Sequence, residues 1–319
     1  EQYCHKRFYL RCKFLPFSIT TTVKSSSSMD VCVASDELKQ KYFDRIPEAV
    51  IYDGIILPGT DVTEECIRLL NEKVFGQDNI VIASCTKSGT TWLAQVLSEI
   101  CYNDAILKSV PMEKSVPWME WKVNVLLPDH PLLLMDTVSS PKKRIWHTQI
   151  PLRHLPQSIR EGKCKLLYVA RNPKDQAVSN FHYHKMARHL GLQTDLSWDD
   201  FFRLHCSGSL RGGSWFDHVL EYWEFSRTNP NVKFLFFEDL KVDLAKEVKK
   251  IEEFIGVPLT SEERDNVIEH CSFQAMKANT MANRSGHSSL DHTRGEFLRK
   301  GVVGDWKNHF TVAQSEAFD

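Results

Sequence analysis

The chain has 319 residues, 42% hydrophobic, 11% aromatic and 25% charged. That is long enough to bury a full core, and the composition excludes a disordered, fibrous or disulfide-stapled chain. Forty basic residues against forty-one acidic ones leave a formal charge of −1, which argues against nucleic-acid binding through a strongly basic surface but not against a local basic pocket.

Residues 1–28 carry Lys6, Arg7, Arg11, Lys13 and Lys24 against one acid, then the tract Ser25 to Ser28. A basic, Ser/Thr-rich, acid-poor leader fits a transit peptide. It reads better as a non-native or disordered leader, with Met29 as the expected true start. Residues 29–44 are an N-terminal segment with a helix-compatible stretch at 36–42. Residues 45–319 contain neither a repeat nor a long linker and read as one domain. Short apolar runs there alternate with helical patterns, which predicts βαβ units on a parallel sheet. Ile80-Val81-Ile82-Ala83 is a buried strand that runs through 84–89 into a helix over 90–102. Leu166 to Ala170 is a second strand, leading through Arg171-Asn172-Pro173 into a helix that ends near His189. Phe234 to Phe237 is a third. A helix over 244–255 follows, stopped by Gly256 and Pro258, and another covers 261–270. Residues 275–300, rich in Asn, Ser, Gly and His, read as a long functional loop. The fold expected is α/β: a single domain with a central, mostly parallel sheet flanked by helices and a strand–loop–helix phosphate loop. No apolar run reaches the ~18 residues needed to cross a membrane. The nine cysteines are scattered, without a CxxC pair. They read as reduced thiols of a cytosolic protein, not as a disulfide framework or a zinc site.

Three segments carry anion chemistry. Lys87-Ser88-Gly89-Thr90-Thr91-Trp92 joins a buried strand to a helix, so backbone N–H groups and the positive helix end face one spot. It is not a Walker A loop, because Lys precedes Gly and the first Gly is absent. A strand–turn–helix with a Thr cap is the bland alternative. Arg171 stands at the carboxyl end of the second strand, where ligands of open α/β sheets collect. Ser179 on the following helix can donate to the same anion. Arg299-Lys300-Gly301-Val302-Val303-Gly304-Asp305-Trp306-Lys307 sets two cations beside flexible glycines, either a phosphate clamp or a solvated basic turn.

Together, and in this order, these segments resemble the cytosolic sulfotransferases, from about Phe43 to the end. Residues 83–92 look like that family's 5′-phosphosulfate loop. Tyr168 to Asp175, on to Ser179, looks like its 3′-phosphate strand and helix, and residues 299–307 match its RKGxxGxxK clamp. The resemblance implies 3′-phosphoadenylyl sulfate as donor, with no metal. It implies that Lys87 contacts the oxygen bridging phosphate and sulfuryl. Ser88, Gly89, Thr90, Thr91 and Trp92 cradle the 5′-phosphate and flank the adenine, with Trp92 as the stacking ring. Arg171, Ser179, Arg299, Lys300 and Gly301 hold the 3′-phosphate. Phe237, Cys271, Ser272, Phe273, Met276, Phe297 and Leu298 complete the nucleotide site. Phe237 stands where a Tyr is common and Cys271 where a Thr is common. Lys307, Thr311, Val312 and Glu316 match the family's KxxxTVxxxE contact, which implies a homodimer of modest contact area. Relatives continue beyond that motif, so a shortened C-terminus is expected.

The pattern breaks at the acceptor strand. The family carries Lys-Thr-His, an apolar residue and Pro. Here the stretch is Arg144-Ile145-Trp146-His147-Thr148-Gln149-Ile150-Pro151, and Pro151 sets the register. Gln149 falls on the catalytic base and His147 on the Lys. Gln takes up no proton at useful pH. General-base help is worth about 10²–10⁴ in rate, so its loss slows the reaction without abolishing it. In a strand, positions 147 and 149 face one side, so His147 is either a displaced base or a structural histidine. The candidate catalytic set is therefore Lys87, His147, Gln149 and Ser179. Two functions stand: a sulfotransferase moving sulfuryl to a hydroxyl or amine of a small acceptor (phenol, steroid, alcohol or amine) with weakened base catalysis, and a nucleotide-binding pseudoenzyme. Neither nucleic acid nor membrane is expected as a partner. A P-loop kinase is disfavoured without Walker A or an Mg²⁺-binding Asp motif.

Val116, Pro117, Trp118, Met119 and Trp121 line an acceptor pocket or pack the core. His182, His184 and His189 read as surface and pocket-rim residues. The stretch 281–292 is expected to lie over the pocket, with His287 and His292 unassigned.

Overall fold

The computed structural model describes residues 31–102, 104–122 and 143–319. The leader 1–28 and Met29 lie outside them. Four parallel strands form the central sheet in the order β4-β3-β5-β6: β3 Asn79–Ala83, β4 Arg144–Thr148, β5 Lys165–Ala170 and β6 Val232–Phe236. The expected class, a parallel sheet between helices, is what the chain adopts.

The strands read as unbroken apolar runs because both sheet faces are covered. Alternate residues point to opposite sides. Ile80, Ile82, Leu167, Val169 and Leu235 pack with Leu93, Val96 and Leu97 of helix α1 (Thr90–Cys101) and with Val248 and Ile251 of helix Leu244–Ile255. Val81, Ala83, Leu166, Tyr168 and Ala170 pack with Trp215, Val219 and Tyr222 of helix Trp215–Thr228 on the other face.

Several boundaries differ from the sequence reading, each for a local reason. The helix from Thr90 stops at Cys101, since Tyr102 is extended. Phe237 leaves the third strand and opens a short helix, Phe237–Val242. The helix after Arg171, here α2 (Pro173–Met186), is capped by the Asn172 side chain with Pro173 at its first turn, a good start signal. It ends before His189 because Ala187 turns extended and a 3₁₀ turn, Arg188–Leu190, follows.

The stretch 275–300 is not all loop. Helix Phe273–Ala278, capped by Ser272, runs into it. The remainder is pinned to the body: Met112 N–H donates to the Met281 carbonyl, Arg188 N–H to Ser289 and Asp291 N–H to Met186. A hairpin went unread, β1 (Val50–Tyr52) and β2 (Ile55–Leu57), antiparallel around Asp53 and Gly54. Both turn residues have positive φ, 46° and 76°, as a type I′ turn requires.

Candidate active site

One cavity opens at the carboxyl ends of β3, β4 and β5, where open α/β sheets bind ligands. Of the expected site residues, Lys87, Gly89, Thr90, Thr91, Trp92, Gln149, Arg171, Ser179, Phe237, Phe273, Met276, Phe297, Leu298, Arg299, Lys300 and Gly301 all line it.

The loop after β3 is shaped as an anion cradle. Lys87 and Gly89 both take positive φ, 64° and 115°. A Cβ on Gly89 would sit 2.9 Å from the Phe237 ring, so a side chain there fills the cradle. No side chain caps the α1 N-terminus, which leaves its first N–H groups for a ligand. Gln176 Nε2 holds the loop from α2 through the Thr86 carbonyl at 2.6 Å. Trp92 packs edge-on against Phe237 at 5.3 Å and donates its indole N–H to the Cys271 carbonyl at 2.8 Å.

Arg171 donates to the carbonyls of Lys87 and Val302, and its Nε is buried without a partner. That orphan donor suits a bound phosphate. Lys87 Nζ lies 3.7 Å from the centroid of the Phe297 ring and donates to the Phe297 carbonyl at 3.4 Å. Burial, with the charges of Arg171, Arg284 and Arg299, lowers the Lys87 ammonium to about 7. Such crowding of cations is a site awaiting anions.

The clamp is held from behind. Asp175 on α2 accepts the N–H groups of Gly304 and Trp306 at 2.7 and 3.0 Å. Arg299 and Lys300 share Asp305. Burial raises that carboxyl, but hydrogen bonds from Lys300, Arg299 and Asn308 outweigh it and hold it well below the usual carboxylate range. One carboxylate thus orders two cations and leaves a net positive charge. Gly301 has φ 63° and sits so close that a Cβ would meet the Phe273 ring at 2.4 Å.

Four expected residues are not brought to the cavity wall. Ser88 and Cys271 are fully buried; the Cys271 backbone carbonyl, not its thiol, serves the site by holding Trp92. Ser272 caps helix Phe273–Ala278. His147 lies behind Trp118, ring centroids 3.8 Å apart, with both ring nitrogens unpartnered. The segment 117–119 runs along β4, with His147 N–H to the Pro117 carbonyl and Met119 N–H to the His147 carbonyl, which keeps Trp118 over the imidazole. Burial, then the charge of Arg284, pushes His147 well below its ordinary pKa.

The other half of the cavity is walled by residues that no motif marks. Trp118 and Trp121 stack at 5.4 Å and line it, while Val116 and Met119 are core. His189, Arg211, Arg284, His287 and Ser289 line the same half. Arg211 donates to Gln149 Oε1 at 2.8 Å and to Thr86 Oγ1 at 3.3 Å. His189 is pushed to about 3 by burial and the Arg211 charge, and His287 is lowered by burial and Arg284. The reading of His184 as a surface residue fails: it is 1% exposed and hydrogen-bonded to the Tyr42 hydroxyl and the Asn180 carbonyl. Among the described residues, no group of three or more His, Cys, Asp or Glu could hold a metal ion.

Fold and site define an α/β protein that holds a polyanionic ligand at the carboxyl edge of a parallel sheet, beside an aromatic pocket. The sulfotransferase domain family matches residues 77–319, and the chain belongs to that family of enzymes. Dog Sulfotransferase 1A1 is 40% identical over 260 residues, 80% of this chain and 85% of that protein. Rat Sulfotransferase 1C2 is 39% identical over 246 residues, 76% and 81%. Mouse sulfotransferase SULT7A1, solved in complex with PAP, superposes with a TM-score of 0.67 at 32% identity, covering 85% of this chain and 91% of that one. Retinol dehydratase, solved with retinol and PAP, shares the fold, with a TM-score of 0.72 at 23% identity over 92% and 93%. Among the described residues no helix is long and apolar enough to cross a membrane.

Proposed function

We propose that this sulfotransferase moves a sulfuryl group from 3′-phosphoadenylyl sulfate to a small-molecule hydroxyl, or an amine, without a histidine base at position 149. The convergence of Lys87, Arg171, Arg299 and Lys300 with the open α1 N-terminus on one cavity carries this reading. In it, the Gly89–Thr91 cradle takes the 5′-phosphate. Arg171, Ser179 and the 299–301 clamp take the 3′-phosphate. Trp92, Phe237 and Phe273 wall the adenine. Lys87 stands beside the bridging oxygen. As the acceptor oxygen forms its bond to sulfur, the old S–O bond breaks, and Lys87 stabilises the electron pair left on the phosphate.

Among the described residues no strong base lines the acceptor half. Gln149 titrates nowhere useful, and the lining imidazoles of His189 and His287 are held low. A nucleophile that ionises readily is then favoured, because the charges of Lys87, Arg211 and Arg284 lower the pKa of a phenol beside them. The hydroxyl proton leaves to water. The exposed Val312, flanked by Lys307, Thr311 and Glu316, supports a homodimer.

Titration with PAP and transfer from labelled donor to a panel of phenols, alcohols and amines test the reading. Expected are saturable binding and turnover that favours acidic phenols. Tight PAP binding with no transfer to any acceptor identifies a pseudoenzyme instead.

A further inference from the structure

The acceptor half of the cavity contains a buried charge that no carboxylate among the described residues pairs with. Arg284 is 7% exposed and lines the cavity. Its Nη2 is buried without a hydrogen-bond partner. Glu113 exerts a pull on it, yet among the described residues no carboxylate comes within ion-pair distance. At the clamp, by contrast, Arg299 and Lys300 are both answered by Asp305. Its guanidinium carbon lies 5.6 Å from the centroid of the Phe297 ring, but a buried guanidinium without a carboxylate is costly, and a ligand that supplies one would offset that cost. Arg284 also holds a left-handed backbone, φ 59°, a conformation a non-glycine residue takes at some cost.

Arg211 stands on the same half; its hydrogen bonds go to neutral oxygens, those of Gln149 and Thr86, with the carboxyl groups of Asp61 and Glu120 near enough to feel its charge. The Gln149 carbonyl is therefore engaged, and its amide is left as a donor. These donors exceed what the nucleotide needs, since Arg171, the clamp and the α1 N-terminus already serve its phosphates. In the same cavity, stacked Trp118 and Trp121 offer a flat apolar wall.

We propose that the acceptor carries a carboxylate in addition to its reacting hydroxyl, held by Arg284 with Arg211, its apolar body lying against Trp118 and Trp121. The proposal rests on the transfer reading above and narrows it to hydroxylated, apolar acids. Planar guanidinium groups pair with carboxylates through two hydrogen bonds, and Gln149 adds a third donor type. The acid group stays intact; only the hydroxyl is sulfated.

The test compares matched pairs, a hydroxyaryl alkanoic acid and its methyl ester. Calorimetry on the PAP-bound protein gives affinity whether or not transfer occurs, and kcat/KM is measured alongside. The acid is expected to bind at least ~10-fold tighter than the ester, as a buried charge pair implies. Arg284→Met should abolish that preference while lowering PAP affinity by a clearly smaller factor, since its charge also reaches Lys87, and Arg284→Lys should restore part of it. An ester that binds as well as the acid to the wild-type protein overturns the proposal, without needing any variant to fold. A loss of PAP affinity in Arg284→Met equal to the loss of acid affinity also overturns it, because Arg284 would then serve the donor. Acid preference in binding without turnover would instead overturn the transfer reading and leave the carboxylate site standing.

Discussion

In the proposed reaction Gln149 takes the place of the imidazole that would accept the acceptor proton, and its neighbours hydrogen-bond an amide there. Arg211 Nη1 is 2.8 Å from its Oε1, and Glu120 Oε1 accepts its backbone N–H at 3.0 Å. Restoring the base by Gln149→His alone places an imidazole against a guanidinium, which depresses its pKa. The gain is expected only when that charge is also removed. For a neutral aliphatic alcohol, Gln149→His with Arg211→Ser should raise kcat/KM by roughly 10²-fold, the low end of general-base help. Gln149→His alone should raise it less. An acidic phenol, which needs no base, should change little in either. Steady-state rates across acceptors of graded pKa check this. Equal effects on alcohol and phenol would mean that position 149 limits the reaction by something other than proton removal.

At the scale of elements, the phosphate machinery was legible because each part is contiguous: strand, loop and helix follow one another in the chain, and Lys87, Gly89, Arg171 and Arg299 each sit in such a run. The acceptor half was legible only in outline, from the aromatic stretch at Trp118 and Trp121 and the segment 281–292; its two arginines were not. Arg211 lies between short turns and Arg284 within a Ser/Asn/Gly stretch. Only the fold carries both to the end of β4. His184 was misread because α2 is packed on several sides, by Tyr42 and by Phe201, so it lacks the polar stripe that marks a surface face. The hairpin at 50–57 was missed although Asp53-Gly54 is a strong turn signal; three-residue strands leave too little alternation to notice. The C-terminal helix Val312–Phe318 shows the opposite case, a motif whose residues stay at the surface. Thr311 and Gln314 cap it reciprocally, and Val312 is 75% exposed. If two such helices pair, Val312→Glu places two like charges in a small apolar contact while the reciprocal cap is kept. Sedimentation equilibrium is expected to show a dimer for the wild type and a monomer for Val312→Glu. An unchanged mass would remove this helix from the interface.

The whole molecule depends on histidines buried in their neutral form. His184, His205 and His218 are each pushed to about 4, first by burial. His218 bridges the Tyr168 hydroxyl and the Gln149 carbonyl, so the sheet edge at the site shares in this. A base whose folded pKa is depressed binds fewer protons folded than unfolded between about pH 4 and 6.5. Stability therefore rises with pH across that window and is lost on acidification, by at most about 1.4 kcal/mol per pH unit for each group. Carboxylates add their own acid loss in the same range, so the slope alone does not isolate the histidines. His205 does. Its ring stacks on Phe201 and Phe318 at 6.1 and 5.8 Å, and its Nε2 has no partner, so a phenyl ring keeps the stacking and removes the proton site. His205→Phe relative to wild type should change little between pH 7 and 8, then gain steadily below pH 6.5, reaching about 2 kcal/mol at pH 5. Urea unfolding at a series of pH values measures the difference, and any constant packing offset cancels in its pH dependence. A difference that stays flat from pH 7 to pH 5 would show that His205 is protonated in the folded protein, and the buried neutral histidines would then not be what makes this fold sensitive to acid.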